Sequence, residues 1–319
     1  MITRNTTYNA KILLFGEYSI LLGSSALSIP FNHFSCSFSF INHNKNNNLV
    51  AADCSRRYLI DYLFFLQKSE YFSEIIDLEN FNKDINERLY LKSTIPKSYG
   101  LGSSGAVVAA VYSRYSLDKN SEGIQSTEEM DKLCKLFSSM ESFFHGKSSG
   151  IDPLTIYINK PLLFNKQRKL SVVEFKQKTD FSTYLIDTGE SAKTNPLISV
   201  FMNQFAPDGK INNTAFEYIK LTDKCIQHLL SNNYNDFLNS LRALSYFQLI
   251  NMYNLIPQNM YQVWKEGLES ESIFMKLCGS GGGGYLIAFA SDNNKALKFI
   301  KNNNLRYIPV NISDSNTNN

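Results

Sequence analysis

The sequence predicts a two-domain protein in which both domains combine helices and strands. Its 319 residues are 43% hydrophobic and include 23 Phe and 18 Tyr, which is enough for a sizeable core and a length typical of two domains. Strand-like and helix-like segments fill the first half, and the pattern starts again beyond about residue 180. We therefore predict domains at residues 1–178 and 179–319.

Charge, apolar runs and cysteine usage exclude several classes of protein. The net charge of +3 gives no strong field for nucleic acid or an acidic membrane. The N-terminus has no long apolar segment, and no stretch reaches the ~18 uninterrupted apolar residues of a membrane span. Neither a disulfide framework nor a zinc site is expected, because the cysteines are odd in number and lack C-x-x-C spacing: Cys36, Cys54, Cys134, Cys225 and Cys278. We expect a cytoplasmic protein without nucleic-acid or membrane partners.

The first elements follow from apolar periodicity. Residues 9–23 hold two apolar runs around Gly16-Glu17-Tyr18, which indicates a strand, a turn, then a strand or short helix. Residues 32–41 alternate apolar and polar side chains, as a half-buried strand does, and lead into a polar turn at 41–48. Residues 56–72 are typical of a helix.

The rest of the first domain surrounds a glycine-rich stretch. Residues 88–96 are predicted as a strand that enters this stretch, and residues 106–117 as a largely buried helix that leaves it. Residues 126–146 form the next helix, where Ser126 and Glu129 have capping-box spacing. Two short strands are predicted to follow, at 154–158 and 161–164.

The second domain begins with a predicted strand at 182–189, followed by long helical stretches from 195 to 270. A strand, the run Gly281 to Gly284 and another strand come next. Because both flanks of the run are apolar and strand-like, it is better interpreted as a tight, buried crossing of backbones or ligand than as a linker. The tail at 311–319 is predicted to be disordered.

The stretch PKSYGLGSSGAV at residues 96–107 has the features of a phosphate-binding loop. Glycine lets a backbone approach closely, and free N–H groups at a helix start attract anions. Gly100, Gly102 and Gly105 also match the dinucleotide pattern G-x-G-x-x-G, but no acidic strand end follows about 20 residues later. A Walker A motif is absent here because no Gly-Lys-Ser/Thr follows the loop, and the stretch 96–107 contains no G-x-S-x-G elbow. A phosphate site, a dinucleotide site and a structural turn stay open on this stretch alone.

The stretch MESFFHGKSSGIDPL at residues 140–154 carries two acidic residues. Glu141 is placed near the end of a helix and Asp152 in a loop between Gly150 and Pro153. One carboxylate could hold a metal and the other could accept a proton from a hydroxyl. A helix end followed by an Asx-type turn is the structural alternative. His145 is interpreted as a capping or packing residue rather than a base.

Four ordered motifs together resemble the GHMP kinase superfamily, which includes galactokinase, homoserine kinase, mevalonate kinase and phosphomevalonate kinase. They are KILLFGEYSILLG, PKSYGLGSSGAV, ESFFHGKSSGID and KLCGSGGGGYLIAF. The sequence most resembles the mevalonate kinases, whose signatures match Lys11, Gly16-Glu17, and Glu141 eleven residues before Asp152. The segment 187–198 resembles the one that opens the second domain of that family.

The resemblance implies an α+β fold, with an N-terminal domain like ribosomal protein S5 domain 2, a ferredoxin-like C-terminal domain, and an active site in the cleft between them. ATP and Mg²⁺ are the implied cofactors. Asp152 would accept the substrate proton, Lys11 would lower the pKa of the reacting hydroxyl, and Ser104 and Glu141 would bind Mg²⁺. The implied phosphate-binding residues are Lys97, Ser98, Gly100, Leu101, Gly102, Ser103, Ser104 and Gly105. The implied substrate-binding residues are Lys11, Glu17, Tyr18, Asp152, Thr194 and Gly282.

Two positions depart from the family pattern, and the first of them leaves the substrate open. Tyr18 stands where mevalonate kinases have histidine, and Ser98-Tyr99 where Gly-Ala is usual. Mevalonate is the expected acceptor, with phosphomevalonate, a sugar or a homoserine-type substrate as alternatives. A non-catalytic ligand sensor and a dinucleotide-dependent oxidoreductase are the other functions considered, and a homodimer stays open.

Overall fold

The computed structural model describes residues 6–41, 49–118, 126–175, 179–191, 194–279 and 281–312. The strands and helices in this part of the chain are, in order, β1 (Tyr8–Phe15), β2 (Ala26–Phe40), α1 (Leu49–Gln67), α2 (Glu70–Ser73), α3 (Leu78–Asn86), β3 (Leu89–Ser93), α4 (Ser103–Tyr115), α5 (Thr127–His145), α6 (Ile151–Ile158), β4 (Leu162–Phe164), β5 (Leu170–Val172), β6 (Ser182–Asp187), α7 (Thr194–Phe205), α8 (Asn213–Leu230), α9 (Tyr234–Asn251), α10 (Gln258–Glu269), β7 (Phe274–Leu277), β8 (Tyr285–Ala290), α11 (Asn293–Asn302) and β9 (Arg306–Val310).

The chain divides into two compact units that interleave in sequence. The first unit contains the residues up to Lys11, then Pro30–Pro96 and Gly102–Lys160. The second contains Ile12–Ile29, Lys97–Leu101 and the chain from Pro161 onward. The predicted domain boundary after residue 178 lies next to residues 176–178, which are outside the described residues, so it stays a prediction. The predicted active-site cleft between the domains also stays a prediction. The predicted turn at 41–48 and the predicted disorder of the tail also fall almost wholly on residues that are not described.

The first unit is built around a buried central helix. The residues of α4 from Gly105 to Val111 are all buried, which confirms the prediction from their small and branched side chains. β2 pairs antiparallel with β3, from Cys36 opposite Ser93 to Phe40 opposite Leu89. The capping box of α5 is also confirmed, because the Ser126 hydroxyl accepts from the Glu129 amide and the Glu129 carboxylate accepts from the Ser126 amide.

The segment 154–158, predicted as a strand, is instead the second half of helix α6. Gly150 adopts a left-handed conformation with φ of 74° and begins the helix, and Pro153 fits its first turn because no N–H partner is needed there. The helix packs against α4 and α5 and is apolar on most sides. An apolar run of this kind is compatible with a strand or a buried helix, and tertiary packing decides between them. Asp152 therefore lies in a first helical turn rather than in a loop.

The second unit contains a four-stranded antiparallel sheet in the order β7-β8-β6-β9. Along the chain its elements run strand, helices, two strands, helix and strand, which is the predicted ferredoxin-like arrangement. The aromatic rings of Phe15, Phe237 and Phe289 pack together in its core. In the same unit, residues 26–28 of β2 pair with β4, and β4 pairs with β5.

The predicted short helix after β1 is a 3₁₀ turn at Ser19–Leu22. All five cysteines are free thiols. Across the described ranges, no helix is both long enough and apolar enough to cross a bilayer.

Candidate active site

Two predicted catalytic residues of the first unit form an ion pair. Lys11 lies on β1 and is buried, and its Nζ is 2.8 Å from Oδ2 of Asp152. The Asp152 side chain is 32% exposed, so one side of the carboxylate faces solvent. A buried lysine is stable in a fold when its charge is paired, and this carboxylate supplies the pairing. The structure thus brings together a partly exposed carboxylate and a buried positive charge.

Gly102 and Gly105, at the start of α4, lie close to Lys11 and to helix α6. Gly102 has φ of 80°, and a Cβ there would lie 2.9 Å from Cγ of Lys11 and 3.1 Å from Cδ1 of Ile156. A Cβ on Gly105 would lie 2.8 Å from the backbone nitrogen of Pro153. This half of the stretch is therefore bare partly because it packs against the lysine stem and the first turn of α6. The sequence pattern carried no signal for that packing.

Glu141, at the end of α5, is buried next to two serine hydroxyls. Its Oε1 accepts a hydrogen bond of 2.8 Å from Oγ of Ser104, and its Oε2 accepts from Oγ of Ser148. Burial, together with the negative charge of Asp152, raises the pKa of Glu141 to about 7. The two hydroxyls and the Lys11 ammonium act in the opposite direction. Sequence reasoning missed Ser148, which looked like any serine in a turn.

The donors around Glu141 suit magnesium. A carboxylate and a hydroxyl are hard oxygen ligands, and Mg²⁺ commonly binds one or two carboxylates together with substrate phosphates. No cluster of three or more His, Cys, Asp or Glu residues is found within the described residues, so an all-protein metal cage is not present there. A cation would also relieve the cost of ionising a buried carboxylate, the cost that raises the pKa of Glu141. Ser104 and Glu141 are the residues that could hold it.

In the second unit, Glu17 belongs to a buried polar network. Its Oε1 is 2.7 Å from Nζ of Lys276, and both side chains are only 1% exposed. The Tyr218 hydroxyl donates to the Glu17 carbonyl at 2.6 Å. Lys276 was not predicted as a site residue, although a lysine inside the apolar strand β7 is an unusual enough feature to have marked it.

Tyr18 follows Glu17 in a left-handed conformation with φ of 58°. Its ring packs on Phe201 with centroids 4.7 Å apart, and burial raises the pKa of its hydroxyl. The residue that replaces the histidine of mevalonate kinases is thus a mostly buried aromatic side chain rather than an exposed one.

Residues 97–101 of the glycine-rich stretch belong to the second unit, where they meet the glycine run. A Cβ on Gly100 would lie 2.9 Å from the Cys278 carbonyl oxygen, and one on Gly284 would lie 2.8 Å from Cα of Tyr99. The prediction that the run is a tight crossing of backbones is confirmed. The Gly282 amide donates to the Leu255 carbonyl at 2.7 Å.

Several predicted roles are neither supported nor contradicted by the geometry. Lys97 and Ser98 are exposed, Leu101 is buried and Ser103 is the first residue of α4. Thr194 begins α7 and His145 ends α5, but the positions of their side chains lie outside the described residues. The binding roles of these residues, and of Glu17, Tyr18 and Gly282, stay predictions.

Comparison with known proteins finds similarity to GHMP kinases. A model of the GHMP kinases N terminal domain matches residues 70–159. The mevalonate kinase of Pyrococcus horikoshii is 26% identical over 299 residues, which cover 88% of this chain and 87% of that protein.

Solved structures share the fold. The crystal structure of the Methanococcus jannaschii mevalonate kinase matches with a TM-score of 0.61 at 19% identity, covering 97% of this chain and 98% of that one. The Streptococcus pneumoniae phosphomevalonate kinase in complex with phosphomevalonate and AMPPNP matches with a TM-score of 0.60 at 16% identity, covering 97% and 100%. The matched domain contains Ser104, Glu141 and Asp152, and the similarity to mevalonate kinases continues over most of the chain; residues 70–159 are thus a GHMP kinases N terminal domain in a chain that has the GHMP kinase fold.

Proposed function

We propose that this protein is an ATP-dependent kinase that transfers the γ-phosphate of ATP to a hydroxyl group, with mevalonate as the acceptor. The observation that carries the proposal is the Lys11–Asp152 ion pair of 2.8 Å in the same unit as the Ser104–Glu141 hydrogen bond. Mevalonate is favoured because the relative from Pyrococcus horikoshii that aligns over most of both chains is named as a mevalonate kinase.

In this proposal Asp152 accepts the proton of the attacking hydroxyl. Its partly exposed carboxylate can reach a substrate, and the buried Lys11 ammonium holds it in one orientation. The same ammonium offsets negative charge that develops during transfer. Phosphoryl transfer needs little covalent help from a protein, so positioning and charge neutralisation supply most of the catalysis.

The start of α4 is the proposed phosphate site. Gly102 directly precedes α4, so the backbone amides of the first helical turn begin at Ser103. Such amides, with the helix dipole, attract phosphate oxygens. Ser104 and Glu141 would hold Mg²⁺, which when bound neutralises charge on the phosphate oxygens.

Phosphomevalonate is the alternative acceptor, and two observations keep it open. The TM-scores of 0.61 and 0.60 do not separate the mevalonate kinase structure from the phosphomevalonate kinase structure. Tyr18 also replaces the histidine expected near mevalonate. A cytoplasmic location and the lack of a nucleic-acid partner remain part of the proposal on composition.

The test is an ADP-release assay on the purified protein with Mg²⁺, ATP and one acceptor at a time. Mevalonate, phosphomevalonate, galactose and homoserine form the panel, and the Asp152→Asn protein prepared in parallel reports any contaminating kinase. We expect the highest kcat/KM with mevalonate. ADP release that no acceptor stimulates would refute the kinase proposal, and a preference for another acceptor would refute mevalonate.

A further inference from the structure

Ser148 stands at the meeting point of two parts of the candidate site. It lies in the segment between α5 and α6, the helices that carry Glu141 and Asp152. Its hydroxyl donates to Oε2 of Glu141 and accepts the Gly150 amide at 3.0 Å. A serine has a single hydroxyl proton, and Ser148 donates it to the Glu141 carboxylate, so its hydroxyl can donate to no other group.

Contacts with α5 also hold the backbone of this segment in place. The Ser148 carbonyl accepts a hydrogen bond of 2.6 Å from Oγ of Ser138, which lies one helical turn before Glu141 on α5. A Cβ on Gly150 would lie only 2.0 Å from the Cys134 carbonyl oxygen of the same helix. One face of α5 therefore positions both the carboxylate and the residue that bonds to it.

The two oxygens of Glu141 have different partners as a result. Ser104, the other candidate magnesium residue, donates to Oε1, while Ser148 donates to Oε2. We propose that Ser148 is a positioning residue that fixes the carboxylate of Glu141 through Oε2, so that Oε1 and Ser104 remain for the cation. This inference rests on the proposed kinase function and assigns a role to a residue outside the family-derived set.

Removal of the hydroxyl should weaken the cation site. A buried carboxylate oxygen without its donor is poorly satisfied, and the side chain is free to turn to other orientations. Groups that orient metal ligands typically change metal affinity by about 10- to 100-fold when they are removed. We expect Ser148→Ala to raise the Mg²⁺ concentration for half-maximal effect within that range, with little change in the KM for the acceptor.

The experiment measures Mg²⁺ dependence in two ways. Calorimetry follows the binding of a non-hydrolysable ATP analogue at a series of Mg²⁺ concentrations, and steady-state turnover follows the same series. Ser148→Thr keeps the hydroxyl and should restore the wild-type dependence. Ser142→Ala is the matched control, because Ser142 neighbours Glu141 in sequence but donates to the Ser139 carbonyl at 2.7 Å, so its dependence should equal that of wild type.

Thermal unfolding without metal or nucleotide separates positioning from folding. Ser148→Ala that loses stability while its Mg²⁺ dependence stays at the wild-type value would overturn the inference, as would failure of Ser148→Thr to restore the dependence. If Ser148→Ala does not fold, Ser148→Cys keeps a similar volume with a weak donor and is expected to show the raised Mg²⁺ requirement. Lack of turnover by the wild-type protein would instead count against the kinase proposal, while the binding titration still tests Ser148.

Discussion

Replacement of Lys276 by methionine should destabilise the second unit strongly. Lys276 and Glu17 are 2.7 Å apart with both side chains 1% exposed, so water contributes almost nothing to their solvation. Lys276 also donates to the Leu277 carbonyl at 2.6 Å and lies 5.4 Å from the centroid of the Phe15 ring. Methionine keeps much of the stem but removes the ammonium that neutralises Glu17. Breaking a buried pair in this way typically costs about 3–5 kcal/mol.

A double-mutant cycle isolates the interaction of the two charges. Glu17→Gln with Lys276→Met removes both charges, so it should be less destabilising than the sum of the single variants. A loss of about 3–5 kcal/mol corresponds to a fall of roughly 6–20 °C in the unfolding midpoint for a domain of 150–250 residues.

Urea and thermal unfolding of the four proteins, followed by circular dichroism, give the free energies of unfolding. Lys265→Met is the control, since Lys265 and Glu269 form an exposed pair at 3.8 Å whose loss should cost no more than about 0.5 kcal/mol. A loss below about 1 kcal/mol for Lys276→Met, or a coupling energy near zero, would contradict the role assigned to this buried pair.

Two further substitutions test the first unit. Gly102→Val should lower both nucleotide affinity and the rate of the chemical step, because the residue has φ of 80° and its Cβ would meet Lys11 at 2.9 Å. Calorimetry measures the affinity and single-turnover kinetics measure the rate. Wild-type values in both would show that this packing is irrelevant. Glu141→Gln should stabilise the metal-free protein at pH 8, since the pKa of Glu141 is raised from 4.5 to about 7 in the fold. The protonated Glu141 carboxyl contributes to the free energy of unfolding below pH 4.5, and this contribution is lost as the pH rises through about 7. The gain in stability from Glu141→Gln should therefore reach a few kcal/mol at pH 8 and be small at pH 4.5. Unfolding midpoints in a chelator at the two pH values check this, and an equal effect at both would contradict it.

Local sequence signals were sufficient to predict helices α4 and α5. The capping box of Ser126 and Glu129 located the start of α5, and small residues identified α4 as buried. The run at 154–158 was assigned wrongly because its β-branched residues favour a strand, whereas the left-handed Gly150 and packing on α4 make it helical.

The site was predictable where family motifs mark it and not where distant residues meet. The resemblance brought Lys11 and Asp152 into one hypothesis, and the ion pair agrees with it. Lys276 and Glu17 are 259 residues apart, and no local pattern can report such a pairing. Ser148 has the local pattern of a turn serine, and only the fold shows that its hydroxyl points at Glu141.

The central claim, that Asp152 accepts the substrate proton, is tested most directly by the single-turnover rate of Asp152→Asn with mevalonate and MgATP. Asparagine keeps the shape but removes the base, so we expect the chemical step to slow by about 10²-fold or more while calorimetric affinity for MgATP stays close to wild type. Asp53→Asn, an exposed change on α1, should leave both quantities unchanged. A near-normal rate for Asp152→Asn would remove it as the base, and a parallel loss of MgATP binding would place it at the metal instead.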